Sequence, residues 1–301
     1  MLFFKSSILF PFLFLALTSC SHNSYDGKIE TLSTGQDVAV ITGTASGLGK
    51  SVAIKLLKLG YAVYGGDIDV EGNKYLKELG GTPFYLDVRD SSMVTKKINE
   101  IIQNSGKIDV LINNAGYAEY GPVEVIDIED VINQFDVNVF GYARMQKAVL
   151  PHMRERKSGK IINVSSAVGK FSYPMLGWYS ATKHAVEGMT DALKMEVAPL
   201  NIKVVKILPG AFKSKLNPKS ISKLDQRDIP DDYKTGVKKF KATIKGMNEG
   251  MPSAKEVANV VIKAVQTKSP KSEYFVLDDA NYFIKKRREL TNDQFYKKIS
   301  P

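Results

Sequence analysis

The sequence predicts a single α/β domain: a doubly wound parallel sheet with helices on both faces. Three observations predict it. Short β-branched runs alternate with stretches of helical periodicity from residue 36 to residue 277. Such alternation implies parallel strands joined by right-handed helical crossovers. A glycine-rich turn, Thr42-Gly43-Thr44-Ala45-Ser46-Gly47-Leu48-Gly49, joins the first run to the first helical stretch. With 301 residues, 44% of them hydrophobic, the chain can bury the core that such a sheet needs.

The elements follow in order. Asp37–Thr42 carries Val38, Val40 and Ile41 and reads as a buried strand. Gly47–Leu59 places Val52, Ala53, Leu56 and Leu57 at helical spacing, and Gly60 stops it. Tyr61–Gly66 is a second strand, and Val70–Leu79 is a second helix closed by Gly80. Thr82–Leu86 is a third strand, Ser91–Asn104 a helix and Ile108–Asn113 a fourth strand. A helical region covers Glu129–Arg156, and Lys160–Ser165 is a fifth strand. Trp178–Val197 is a long helix, Ile202–Leu208 a sixth strand, Ser253–Thr267 a late helix and Tyr274–Leu277 a last strand. Ala211–Pro252 interrupts the alternation. It is rich in lysine and follows a strand end, where open α/β sheets hold ligands, so it reads as a lid of short helices.

The net charge of +10 is uneven. Ala211–Gly250 holds ten Lys/Arg against five Asp/Glu, and Asn281–Pro301 holds six against two. A nucleic-acid binder would carry its basic face on the main body, so nucleic acid is not expected as a partner. Localised basic segments suit a membrane surface or an anionic substrate, or are simply solvated. The cluster Lys285-Lys286-Arg287-Arg288 is a candidate to face anionic lipid headgroups. No set of metal ligands is expected.

Two constellations carry chemistry. In the glycine-rich turn, Gly43, Gly47 and Gly49 permit positive φ and close approach of the backbone. The helix that follows offers free N–H groups and a positive dipole end to a pyrophosphate. Asp67 ends the second strand, where a carboxylate accepts from adenosine ribose hydroxyls and repels a 2′-phosphate. That favours NAD, with NADP possible and Lys50 weighing toward it. Capping the helix near Val70 is the other role open to Asp67. The second constellation is Tyr179, one turn before Lys183 and thirteen residues after Ser166. Residues four apart share a helix face, so an ammonium stands near a phenol. A phenol titrates near ~10, and a neighbouring positive charge favours phenolate. Such a group can take a proton from an alcohol or return it to a carbonyl oxygen.

These motifs together resemble the short-chain dehydrogenase/reductase family, over Asp37 to Leu277. Thr42–Gly49 is similar to its TGxxxGxG turn. Asp87-Val88 resembles its adenine-contacting pair, and Asn113-Asn114-Ala115-Gly116 its NNAG motif. Asn138, within Val137-Asn138-Val139, resembles the helix asparagine. Asn163-Val164-Ser165-Ser166 carries the serine, Tyr179-Ser180-Ala181-Thr182-Lys183 the YxxxK motif, and Pro209-Gly210 the PG turn. Tyr282 and Lys286 repeat the YxxxK spacing in the basic tail without a serine partner, which reads as accidental.

The resemblance implies a Rossmann-like fold and NAD(P)-dependent hydride transfer between a secondary alcohol and a ketone. It implies Asn138, Ser166, Tyr179 and Lys183 as catalytic residues. Tyr179 would be the acid/base, Ser166 would polarise the substrate oxygen, Lys183 would hold the nicotinamide ribose and Asn138 would hold a relay water. It also implies a cofactor site of Gly43, Ser46, Gly47, Leu48, Gly49, Asp67, Asp87, Val88, Asn114, Ala115, Gly116, Tyr179, Lys183, Pro209 and Gly210. Phe171, Tyr173, Pro174, Met175, Leu176, Trp178, Ala211 and Phe212 are candidate walls for a hydrophobic alcohol or ketone, although core packing would select the same residues. Lys213, Lys215 and Lys219 keep an anionic, carrier-linked substrate open. A homo-oligomer is possible. The alternative function is a non-enzymatic, membrane-tethered dinucleotide-binding or interaction protein.

Residues 1–20 read as a targeting segment rather than part of the fold. Lys5 gives a positive start, and the apolar run Ile8–Leu17 is short of the ~20 residues that span a bilayer. The run ends in Leu17-Thr18-Ser19-Cys20, which resembles a bacterial lipoprotein signal with Cys20 as the lipidated residue. Cys20 is the single cysteine of the chain. An uncleaved anchor with an incidental cysteine is the competing reading. Residues 21–35 read as a polar tether. The expected location is the bacterial cell envelope, lipid-anchored. The alternative is cytoplasmic, where nicotinamide cofactors mainly reside.

Overall fold

The computed structural model describes residues 35–214 and 216–300. The signal, the lipidation at Cys20 and the tether up to residue 34 lie outside the described residues, as does Lys215.

Seven parallel strands form one sheet in the order β3-β2-β1-β4-β5-β6-β7. They are β1 (Val38–Thr42), β2 (Ala62–Asp67), β3 (Thr82–Tyr85), β4 (Val110–Asn113), β5 (Gly159–Val164), β6 (Ile202–Pro209) and β7 (Glu273–Val276). Side chains alternate along a strand, so each strand feeds two cores. Ala39 and Ile41 pack with α1 (Gly47–Lys58) and α10 (Ala254–Gln266) on one face. Val38 and Val40 pack with α4 (Ser91–Ser105), α6 (Gly141–Arg156) and α7 (Gly177–Val197) on the other. This is the expected doubly wound, Rossmann-like sheet. The strand order reverses between β1 and β4, and the carboxyl ends at that switch point face the candidate site.

Two expectations need correction, and two features go beyond what the sequence announces. The helix expected over Val70–Leu79 is two pieces, α2 (Val70–Asn73) and α3 (Tyr75–Glu78). Asn73 is buried there, its amide donating to the Gly65 carbonyl and accepting from Thr44 Oγ1, which pins the chain to β2 and the glycine turn. The helical region over Glu129–Arg156 is α5 (Ile128–Phe135) and α6, joined by a π turn at Asp136–Phe140. The Ala211–Pro252 segment holds α8 (Leu216–Asp225) and a 20-residue α9 (Asp231–Gly250), so it is not built only of short helices. Two helices were not foreseen, α11 (Asp278–Glu289) and α12 (Asn292–Ile299). Their polar, basic composition hides three buried apolar residues, Ala280, Ile284 and Phe295, that pack beside the 166–179 segment. Among the described residues, no helix is long and apolar enough to cross a membrane.

Candidate active site

The glycine turn is a cradle that side chains would fill. Gly43 has φ +76°, and a Cβ on it would lie 2.9 Å from the Ala115 Cα. A Cβ on Gly49 would lie 2.0 Å from the Gly43 carbonyl oxygen. At Gly47, φ +58°, the Cβ position faces open space. Ser46 is the N-cap of α1 but makes no side-chain cap, and the first turn holds no acid. The backbone donors of Gly47, Leu48 and Gly49 thus stand at a positive helix end whose first turn carries no acidic residue. This arrangement fits a pyrophosphate. Asn114 and Ala115 stiffen it, since both of their N–H groups donate to Thr42 Oγ1 at 3.0 Å, and the Asn114 amide donates to the Thr42 and Gly43 carbonyls. Gly116 lies against Asn138, where a Cβ would be 3.0 Å from Oδ1.

Asp67 does not cap the helix near Val70; Asp69 does, accepting from Gly72 N at 2.9 Å. Asp67 accepts from Ala45 N and from Asp69 N, both at 2.9 Å, one on each oxygen. An ionised carboxylate has about four acceptor sites, so each oxygen retains capacity for a ribose hydroxyl. Lys50 Nζ stands 4.1 Å over the ring of Tyr75, whose hydroxyl donates to the Thr44 carbonyl of the glycine turn. The Asp87-Val88 pair follows β3 and makes contacts of its own. The Arg89 guanidinium grips Asp87 and holds its carboxyl below the usual carboxylate range. The Val88 side chain is buried in the core against Gly141.

The four residues expected to carry the chemistry are set by three elements. Ser166 follows β5 and starts the 3₁₀ turn Ala167–Gly169, its Oγ accepting from Val168 N. Tyr179 and Lys183 lie one turn apart on α7. Burial pushes the Tyr179 phenol up to about 12, and the neighbouring Ser166 hydroxyl opposes it by favouring the ionised form. The lowering expected from Lys183 is not what governs the phenol in the protein alone. The lysine Nζ donates to the Val164 carbonyl at 2.9 Å and stands 5.6 Å from the Tyr179 ring centre. Burial pulls the Lys183 ammonium down to about 8, against the opposing pull of Glu187. Asn138, on the π turn, is fully buried. Its amide donates to the Tyr117 carbonyl at 2.8 Å and to Thr182 Oγ1 at 3.2 Å, while its Oδ1 accepts from Tyr117 N. Asn138 thereby clamps the loop after β4 to the helix that carries Tyr179.

A nucleotide-sized glycine cradle and a Ser–Tyr–Lys set thus share the carboxyl edge of one sheet. The family model for short chain dehydrogenases matches residues 37–225. The chain belongs to the short-chain dehydrogenase family. That family is one of oxidoreductases. The chain is 40% identical over 205 residues to a 3-ketodihydrosphingosine reductase of Bacteroides thetaiotaomicron, covering 67% of this chain and 74% of that protein. It is 35% identical over 247 residues to an NADPH-dependent 3-dehydrocapnine reductase of Ornithobacterium rhinotracheale, covering 79% and 87% respectively. It superposes with TM-score 0.68, at 26% identity, on a 3-ketoacyl-(acyl-carrier-protein) reductase of Brucella melitensis solved with NADH, covering 80% of this chain and 95% of that one.

In this short-chain dehydrogenase the expected substrate wall is only partly assembled. Tyr173, Met175, Leu176 and Tyr179 do meet, in a cluster closed by Leu224 of α8 and by Val237 and Phe240 of α9. Phe171 is instead buried against Phe283 and Phe295 of the C-terminal helices. Phe212 packs on the opposite core with α10. Trp178 donates to the Val123 carbonyl at 3.2 Å.

Sequence reasoning missed four residues here. Tyr120 is buried in the same cluster, edge-on to Phe240 at 5.2 Å. Glu119, 2% exposed, accepts from Lys223 and Arg227 of the α8 region. Asp279 accepts from Ala211 N at 2.7 Å and occupies the space that a side chain on Gly210 would need, so it holds the Pro209-Gly210 turn. Sequence separation hid all three. Glu187 was the one within reach, because it lies four residues beyond Lys183 on the same helix face.

Proposed function

We propose that this protein reduces a ketone on a long-chain, hydrophobic substrate to the secondary alcohol, using a nicotinamide dinucleotide. The observation that carries the reading is the Tyr179 phenol, packed in an apolar cluster closed by α8 and α9 and neighboured by Ser166. A phenol pushed up to about 12 is protonated at neutral pH, so the protein's resting state is a proton donor. Reduction is favoured over oxidation by the names of two relatives, both reductases. Ser166 orients a carbonyl oxygen beside the phenol, and Tyr179 delivers the proton to that oxygen. Lys183 supplies a positive charge behind the phenol that steadies the phenolate left after transfer. The dinucleotide, when bound, supplies the hydride. Gly43, Ser46, Gly47, Leu48 and Gly49 would hold its pyrophosphate, and Asp67 its adenosine ribose. Asp87 and the Val88 backbone would border the adenine. Asn114, Ala115, Gly116, Tyr179, Lys183, Pro209 and Gly210 would line its nicotinamide half.

The names of the two relatives support the substrate class, since both are reductases of a compound oxidised at position 3. The helices α8 and α9 act as a lid whose inner face is apolar and aromatic, as a long chain requires. Asp67 favours NAD, whereas one relative is named NADPH-dependent, so both cofactors belong in the assay. The reading includes a lipid anchor at Cys20, which would hold the enzyme where long-chain substrates partition. Metabolic labelling with fatty acid tests the anchor, and an unlabelled, soluble protein removes it.

The test of function is turnover of 3-ketones of increasing chain length, with NADH and NADPH side by side. Tyr179→Phe is expected to bind dinucleotide normally and to lose turnover by ~10³-fold or more. Undiminished turnover in that variant would end the mechanism.

A further inference from the structure

The face of α7 that carries Tyr179 and Lys183 continues with Glu187 and Asp191 at the same four-residue spacing. Glu187 is 6% exposed, deep beneath the reacting groups. Its Oε2 meets Lys170 at 2.6 Å and Lys206 at 3.1 Å. Its Oε1 is buried with no hydrogen-bond partner. A buried carboxylate is costly unless paired, and here two ammonium groups from other elements pair with it. Lys170 follows the 3₁₀ turn that begins at Ser166, and Lys206 lies on β6.

Counting charges shows what Glu187 does. Lys183, Lys170 and Lys206 stand against Glu187, Asp191 and Glu273. Arg288 reaches Glu273 from the solvent side at 3.6 Å, itself mostly exposed. Lys183 has no carboxylate within ion-pair distance and spends its Nζ on the Val164 carbonyl. Tyr142, which also faces it, is neutral, with burial pushing its phenol well up. Removing Glu187 shifts the charge of this network by one unit toward positive, one helical turn from Lys183.

We propose that Glu187 is a positioning residue for Lys183, a buried counter-charge that balances the lysine's ammonium and ties the Ser166 turn to α7 through Lys170. The inference rests on the reductase reading, in which Lys183 works as a cation. Burial drags the Lys183 ammonium down to about 8 and Glu187 opposes it, so the lysine is charged at neutral pH with little to spare. Without Glu187 the ammonium gives up its proton at lower pH.

The experiment uses the full chain with Glu187→Gln, Lys206→Met and the two combined. Two quantities are read. One is the titration midpoint of Lys183, from the ε-carbon signal of ¹³C-lysine-labelled protein without dinucleotide, assigned by its loss in Lys183→Arg. The other is the pH dependence of reduction. In Glu187→Gln the Lys183 midpoint and the alkaline limb of the rate both move down by about one pH unit. In Lys206→Met, which leaves a negative excess, both move up. The double variant restores the balance and returns both toward wild type. An unmoved Lys183 midpoint in folded Glu187→Gln overturns the proposal, as does a rate loss equal at every pH. Should Glu187→Gln fail to fold, Lys206→Met decides alone, and an unmoved midpoint there overturns it. A wild type without Tyr179-dependent turnover sinks the reductase reading, and the NMR midpoints still judge Glu187.

Discussion

Two edges of the same site are held by different forces. On the dinucleotide edge, β1 and the loop after β4 are laced by neutral hydrogen bonds among Thr42, Gly43, Asn114 and Ala115, all between 2.9 and 3.1 Å. On the substrate edge, α8 is held to the body by ion pairs. Lys223 meets Glu119 and Asp130 at 2.7 Å, and Arg227 meets Glu119 at 2.9 Å, Asp130 at 2.7 Å and Asp127 at 3.2 Å. Hydrogen bonds from short side chains to backbone tolerate little displacement, so the first edge presents one fixed shape. Ion pairs between long side chains weaken gradually and respond to salt and pH, so the second edge can release and recapture its helices. One half of the site suits a ligand of constant shape, and the other suits a substrate that has to be admitted.

The largest expected effect lies on the fixed edge. Gly49→Ala puts a Cβ 2.0 Å from the Gly43 carbonyl oxygen and 2.7 Å from the Asn114 side-chain amide, itself bonded to the Thr42 and Gly43 carbonyls. Dinucleotide affinity by calorimetry should fall by ~100-fold or more, with ~2 kcal/mol of stability lost to overpacking. Affinity within a few-fold of wild type would mean that the turn yields, and the contrast between the edges would be lost.

The second effect lies on the releasable edge. Arg227→Ala removes one of two cations from Glu119, which stays buried at 2% exposure. Breaking one side of a buried pair costs about 3 kcal/mol, here charged to docking of α8 and α9 rather than to the sheet. Hydrogen exchange should quicken across residues 216–250 and leave the Thr42–Gly49 turn unchanged. The KM for a long-chain ketone should rise more than kcat falls. Faster exchange in both edges would show one cooperative unit.

The same difference in forces explains what could be read from the chain. The dinucleotide edge is built from residues close in sequence, so Gly43, Gly47 and Gly49 announce the turn, and the strands around it are correctly placed by their Val and Ile runs. Tyr179 and Lys183 were visible because one helical turn brings them together. The substrate edge depends on partners about a hundred residues apart, such as Glu119 with Lys223, and no local pattern marks them. Phe171 and Phe212 were assigned to one wall because both are aromatic and near the site in sequence. Residues of α11 and α12, themselves hidden by a charged composition, take Phe171 for a core of their own. The break at Asn73 and the π turn around Asn138 were likewise unreadable, since tertiary hydrogen bonds to Gly65 and Tyr117 stabilise them rather than any local signal.

The smallest expected effect is an acid release of the lid. Burial disfavours the charged form of Asp130, but its bonds to Lys223 and Arg227 win, holding its carboxyl below the usual carboxylate range. A depressed folded value contributes stability that is fully present above the unfolded value near ~3.9 and is lost as pH falls through the folded value. Below about pH 4, then, α8 should loosen before the sheet does, by roughly 1 kcal/mol once solvent screening of the partly exposed Lys223 is allowed for. Trp178 is the only tryptophan and sits beside the closure, its indole N–H on the Val123 carbonyl next to Glu124, which accepts from Tyr233 of α9. Its emission should shift at a pH where far-ultraviolet circular dichroism is still native. Arg227→Ala, already missing half of the grip, should shift at higher pH than wild type. Coincident transitions in both signals would tie the lid to the global fold, and an Arg227→Ala midpoint equal to wild type would take Asp130 and Glu119 out of the closure.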